Sequence, residues 1–323
     1  MQSNAARQEC FLSLVIPVYN SEKIFPELYR RLTEVLEKIA PSYEIIAVVD
    51  GCRDQSIDVI AAIAAKDRRI KVIEFSRNFG HQAAVTAGLH VVRGKLIGIM
   101  DDDLEDPPEV IPDFVNKINE GYDVVYGIRR SRKRSLVYRL LYASFYRILA
   151  KMTDVDMPVD AGDFCVMRRA VADVINSMPE NNRYLRGMRA WVGFRQAGVE
   201  YARGVRLANE SGYDLNKYFE LACTAIFSFS YKPLKYVSVI GALVAFSSFA
   251  VAAYIVGMKL AGKGPAVSGW VSLLVSVLLL SGIQLISVGI LGQYLARVYD
   301  EVNKRPAYII RQMINVEHEV EHD

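Results

Sequence analysis

The chain has 323 residues, 52% of them hydrophobic, with a formal net charge of +3 and a mean hydropathy of +0.15. That length holds one large domain of about 200 residues and something smaller, and the apolar excess is high for a wholly soluble protein. So small a positive charge excludes nucleic acid as the expected partner, despite the basic run Arg129-Arg130-Ser131-Arg132-Lys133-Arg134.

Met1–Glu9 is polar and lacks an apolar signal core, so the N-terminal part is expected on the synthesis side of any membrane. From Phe11, short β-branched runs alternate with amphipathic stretches. The pattern predicts strands at Leu12–Pro17, Tyr43–Val49, Ile70–Phe75 and Leu96–Met100. Between and after them it predicts helices at Phe25–Ile39, Ile57–Ala65, Gln82–Val92 and Glu109–Asn119. Such alternation implies an α/β domain with a mostly parallel sheet, whose ligands bind beyond the carboxyl ends of the strands. Those ends carry Pro17-Val18-Tyr19-Asn20, Asp50-Gly51-Cys52-Arg53-Asp54 and Asp101-Asp102-Asp103.

After a strand-like Asp123–Tyr126 come a helix at Leu136–Met152, a polar segment from Asp154 to Arg169, and an amphipathic stretch at Tyr213–Phe229 suited to a membrane interface. Tyr236–Met258 and Gly264–Ala296 carry no charge, and each is long enough to cross a bilayer of about 30 Å. Lys232, Lys235, Arg297, Lys304, Arg305 and Arg311 flank the outer ends, against Lys259 and Lys263 between the runs. That bias predicts a hairpin with both termini cytoplasmic.

Three adjacent carboxylates repel one another unless a cation sits among them. Asp101 and Asp103 fall on one side of an extended segment, and their hard oxygens suit Mg²⁺ or Mn²⁺ shared with a diphosphate; an acidic turn before Pro107-Pro108 is the alternative. Cys10, Cys52, Cys165 and Cys223 are scattered without metal-ligand spacing and read as reduced packing residues. His81 lies at the Gly80-His81-Gln82 helix start, His90 has no nearby partner, and His318 and His322, four apart in an acidic tail, could hold a metal weakly but read as a solvated terminus, so no histidine is assigned a catalytic role.

The segments FLSLVIPVYN, VVDGCRDQS, SRNFGHQAAVTAGL and IMDDDLEDPPEVIPDF resemble the nucleotide-sugar half of an inverting, GT-A type family 2 glycosyltransferase. With DAGDFCVMRR, RYLRGMRAWVGFRQ and SFSYKPL, the likeness narrows to polyprenyl-phosphate glycosyltransferases, similar to bactoprenol glucosyltransferases and dolichol-phosphate mannose synthases. The resemblance implies that Pro17, Tyr19, Asp50, Asp101 and Asp102 meet the nucleotide sugar, and that Asp101 and Asp103 hold the metal. It implies Asp160 as the catalytic carboxylate facing the acceptor, beside Asp103 on the donor side, with Asp163 in support. Arg129, Arg203, Arg206, Ser211 and Lys217 are the candidates for the acceptor phosphate, since guanidinium forks suit phosphate oxygens. The chain departs from the family at Val49-Asp50-Gly51-Cys52, where an acidic pair followed by Gly-Ser is common.

The implied division is a cytoplasmic GT-A domain over 1–212, an interfacial helix over 213–233, two spans within 234–297 at about 236–258 and 268–292, and a cytoplasmic tail over 298–323. The implied reaction is inverting transfer of one sugar, with UDP-glucose favoured, to undecaprenyl or another polyprenyl phosphate at the inner or plasma membrane, for modification of a cell-envelope glycan. GDP-mannose or a UDP-amino sugar is the alternative donor, and an inactive membrane scaffold the remote one. Small residues Gly282, Ser287, Gly289 and Gly292 in the second span are positions for self-association into a homo-oligomer.

Overall fold

A computed structural model of the chain describes residues 10–129, 161–180, 183–202, 232–261 and 269–316. These fall into two compact units, a sheet domain (10–202 with 305–316) and a pair of apolar helices (232–304).

The sheet domain has eight strands among the described residues: β1 (Leu12–Val18), β2 (Tyr43–Val49), β3 (Ile70–Phe75), β4 (Leu96–Ile99), β5 (Val124–Arg129), β6 (Ala161–Arg168), β7 (Gln196–Tyr201) and β8 (Ile310–Ile314). They lie in the order β7-β5-β6-β4-β1-β2-β3-β8. The β4-β1-β2-β3 core is parallel, whereas β6 and β8 join it antiparallel. Every residue of β1 and β2 is buried, which is why both read as near-continuous apolar runs, broken only by Ser13 and Glu44, and not as alternating ones.

Among the described residues six α-helices accompany the sheet: α1 (Phe25–Ile39), α2 (Ser56–Ala64), α3 (His81–Val91), α4 (Ile111–Asn119), α5 (Arg169–Ser177) and α6 (Leu185–Trp191). In α1, Phe25, Leu28, Leu32 and Leu36 recur at helical spacing and form its buried stripe. Helix α3 packs so closely on β1 that a Cβ at Gly88 would meet Val15 Cγ1 at 2.3 Å.

Two expectations are corrected. The helix expected from Glu109 starts at Ile111, because Pro108–Val110 is a 3₁₀ turn and a second proline opens α4. The polar segment expected over 154–169 ends in a central strand: β6 pairs with both β4 and β5. The helix expected at Leu136–Met152 and the interfacial stretch Tyr213–Phe229 lie outside the described residues.

The β1–β4 pairing stops at Val15–Ile99, while β1–β2 runs on to Val18–Val49. Beyond Val15 the two strands are no longer paired, and the order of strands reverses at the carboxyl ends of β1 and β4, the place where sheets of this kind open a ligand crevice. Pro17 sits past that last pair, where β1 has a neighbour on one side only.

The second unit consists of α7 (Lys232–Leu260) and α8 (Trp270–Asn303). Both are long and apolar enough to cross a membrane: windows Leu234–Val251 and Leu279–Asn303 have mean hydropathies of 1.8 and 1.5, and no part of either is buried. Phe246 and Phe249 on α7, and Leu285 on α8, are among their exposed side chains.

Candidate active site

The acidic run leaves β4 as Asp101-Asp102-Asp103 and turns sharply at Leu104, which is buried and holds φ of 59°. A leucine in the left-handed region is strained, and the strain holds three carboxylates at one crevice. Asp102 Oδ2 accepts the Tyr19 N–H at 3.0 Å and the Ser21 hydroxyl at 2.5 Å, joining the ends of β4 and β1. Asp103 Oδ1 accepts the Glu105 N–H at 3.0 Å. Asp101 Oδ1 is buried with no hydrogen-bond partner.

Burial raises the pKa of all three carboxyls. Asp101 is pushed up to about 7, by burial first and then by the charges of Asp163, Asp106 and Asp103, with His81 opposing. A crowded carboxylate group with one orphaned oxygen fits a hard divalent cation. Among the described residues no group of three or more His, Cys, Asp or Glu side chains is placed to hold a metal ion by itself.

Asp50 is 3% exposed, and its two carboxylate oxygens accept the Phe79 and Gly80 N–H groups at 2.7 and 2.9 Å. Its carboxylate therefore fastens the end of β2 to the entrance of α3. Gly51 (φ 58°) is required beside it, since a Cβ there would stand 2.3 Å from the Arg77 carbonyl carbon and the Asn78 nitrogen. The adjoining Tyr19 is 46% exposed, its ring free to lie against a flat ligand.

His81, given no role by the sequence, stands between the carboxylates of Asp101 and Asp163. Its Nδ1 is 3.8 Å from Asp101 Oδ1 and its Nε2 is 3.4 Å from Asp163 Oδ2. On the far side, Arg186 of α6 grips Asp163 through Nε at 2.8 Å and Nη2 at 3.2 Å. Burial alone would raise the Asp163 pKa, but Arg186 and His81 outweigh it and hold this carboxyl well below the usual range. Burial likewise lowers the His81 pKa, and Asp163 and Asp101 reverse the sign, so the ring is raised and favours its charged form. The signal available was positional: His81 opens α3 directly after the Gly80 turn (φ 98°), on the ligand edge of the sheet.

Arg129 departs from expectation. Its Nη2 and Nε donate to the fully buried Asp106 at 3.0 and 3.2 Å, and Nε also reaches the Tyr201 hydroxyl at 3.1 Å. The fork expected to meet an acceptor phosphate is thus turned onto an internal carboxylate, which would otherwise lie buried without a counter-charge. Asp160, Arg203, Arg206, Ser211 and Lys217 lie outside the described residues, as do His318 and His322.

Residues 13–175 match the glycosyl transferase family 2 model. The chain is 43% identical over 306 residues to the uncharacterized glycosyltransferase YkcC of Bacillus subtilis (strain 168), covering 94% of each. It is 38% identical over 303 residues to the prophage bactoprenol glucosyl transferase homolog of Escherichia coli (strain K12), covering 94% of this chain and 99% of that one. It is also 38% identical over 302 residues to the bactoprenol glucosyl transferase of Shigella phage SfII, covering 93% and 97%. With a mostly parallel GT-A sheet and an acidic cluster at its switch point, this chain belongs to glycosyl transferase family 2.

Proposed function

We propose that the protein transfers glucose from UDP-glucose to a polyprenyl phosphate at the cytoplasmic face of a membrane, inverting the anomeric centre. The observation that carries this reading is the near full-length likeness to bactoprenol glucosyl transferases, which takes in the apolar helices as well as the sheet domain.

The crevice supplies the donor side. Tyr19 offers its exposed ring to the base, Pro17 and Asp50 shape the wall behind it, and Asp102 locks the Tyr19 backbone in place. Asp101 and Asp103 would hold Mg²⁺ or Mn²⁺, which when bound supplies positive charge to the diphosphate as it leaves.

Asp160 is proposed to face the acceptor. A phosphate monoester has a second pKa near 6, so at neutral pH roughly nine-tenths of the acceptor is already dianionic and needs little help from a base. Asp160 then orients the groups around the phosphate, with Arg203, Arg206, Ser211 and Lys217 as its cationic and hydroxyl neighbours. Asp163, on β6, is fixed by Arg186.

Helices α7 and α8 are proposed to span the membrane as a hairpin. Basic residues at the outer ends favour both termini on the cytoplasmic side. The sheet domain gives independent support: β8 pairs with β3, and only residues 304–309 separate it from α8. So short a linker keeps the end of α8 on the same side of the bilayer as the sheet.

The test is to incubate the purified protein with polyprenyl phosphate, Mg²⁺ and labelled UDP-glucose, GDP-mannose or a UDP-amino sugar. Labelled lipid is expected, fastest from UDP-glucose. Faster transfer from GDP-mannose or the amino sugar would correct the sugar, and no labelled lipid from any donor would refute the activity.

A further inference from the structure

The residues after α8 do more than close the sheet. Ile309 O accepts the Ser76 N–H at 3.0 Å, so the C-terminal segment reaches the first residue of the loop that follows β3. The Tyr308 ring stacks on Phe75, with centroids 5.1 Å apart and an interplanar angle of 10°. Phe75 in turn meets Phe79 edge-on at 5.7 Å. The Tyr308 hydroxyl is 2.8 Å from His90 Nδ1 on α3, so one side chain braces both the strand before the loop and the helix after it.

That loop, Ser76 to Gly80, supplies the two N–H groups that hold the Asp50 carboxylate, and its Arg77–Asn78 backbone is pressed against Gly51. It is therefore caught between the end of β2 on one side and the Phe75–Tyr308 stack on the other. Further along the segment, Asn315 Nδ2 donates to Ala64 O at 2.8 Å and Ile70 O at 3.0 Å, at the opposite end of β3.

We propose that Tyr308 and the strand β8 form a built-in brace that positions the Ser76–Gly80 loop, and with it Asp50, for the donor nucleotide. This rests on the reading that the Asp50 edge holds the nucleoside. The physical basis is pre-organisation: a loop that is binding-competent for only a fraction of the time weakens apparent affinity by that fraction. Removing the Tyr308 ring takes away an aromatic stack and the tie to α3 together, and frees the loop on its outer side.

The test compares Tyr308→Ala, Tyr308→Phe and Asn315→Ala in the full chain in detergent. Two quantities are read: the Kd for UDP with Mg²⁺, and hydrogen exchange in peptides covering residues 76–80. Tyr308→Ala is expected to weaken UDP by about tenfold and to speed exchange across the loop. Tyr308→Phe, which keeps the stack, should stay within about twofold of wild type. Asn315→Ala lowers the melting temperature but leaves both readings unchanged, because it acts at the far end of β3. Wild-type affinity and exchange in Tyr308→Ala would overturn the proposal, as would an equal effect from Asn315→Ala. If the wild-type chain fails to bind UDP, the donor assignment falls while loop exchange still decides whether the brace exists.

Discussion

Asp101 concentrates the chemistry of the crevice in one side chain: a carboxyl pushed up to about 7, one oxygen buried without a partner, and three acidic neighbours. A cation resolves that tension, so turnover should require Mg²⁺ or Mn²⁺. Asp103→Asn should lower the transfer rate by about 100-fold or more, since an amide is a poor substitute for a carboxylate on a metal bearing diphosphate. Rate assays in excess chelator check this, and full turnover there would defeat it. His81→Asn is expected to lower kcat by about 10- to 100-fold with UDP affinity nearly unchanged, because the ring aligns Asp101 with Asp163. Steady-state kinetics with calorimetry separates the two effects; unaltered kcat would show that the bridge is only structural. The acidic run was legible from sequence because three aspartates after an apolar strand repel one another unless a cation joins them. His81 was not, because its partners Asp101 and Asp163 are distant in sequence and meet only through the β4–β6 pairing.

Among the elements, the sheet is tied together at its opposite end by a buried polar lock. Glu44 of β2 pairs with Lys71 of β3, accepts the Ser13 hydroxyl of β1 and the Arg93 N–H, and is 5% exposed. Lys71→Met would leave the Glu44 charge buried without its counter-ion and should cost about 3–5 kcal/mol. Urea melts in mild detergent measure it, and a loss below about 1 kcal/mol would contradict the lock. The parallel strands β1 to β4 were readable because burial makes them short, mostly apolar runs, interrupted by Ser13, Glu44, Lys71 and Glu74. Strand β6 was missed because Asp163, Arg168 and Arg169 give DAGDFCVMRR a polar look, although Phe164, Cys165, Val166 and Met167 are all buried. Strand β8 was missed because Ile310–Ile314 lies at a sheet edge, where Arg311 and Gln312 are exposed and pair with Glu74.

For the whole molecule, the proposed topology is a membrane hairpin of α7 and α8 with both of its ends on the side of the sheet domain. In a cysteine-free background, a cysteine placed at Ala261 should react with an impermeant reagent from outside the cell, and one at Gln312 only after permeabilisation. Reaction of both from the same side would rule out the hairpin. The two candidate spans were plain in the sequence because uncharged apolar runs of that length match the thickness of a bilayer and exceed what a soluble core helix needs. The strand β8, which supports the proposed sidedness of α8, is visible only in the folded chain. The central claim, one sugar moved onto a lipid phosphate that keeps its phosphorus, is tested most directly by mass spectrometry of the lipid product formed from UDP-glucose. The account predicts a polyprenyl phosphate carrying one hexose and a single phosphorus. A product carrying two phosphorus atoms would mean that sugar phosphate is transferred, and would contradict it.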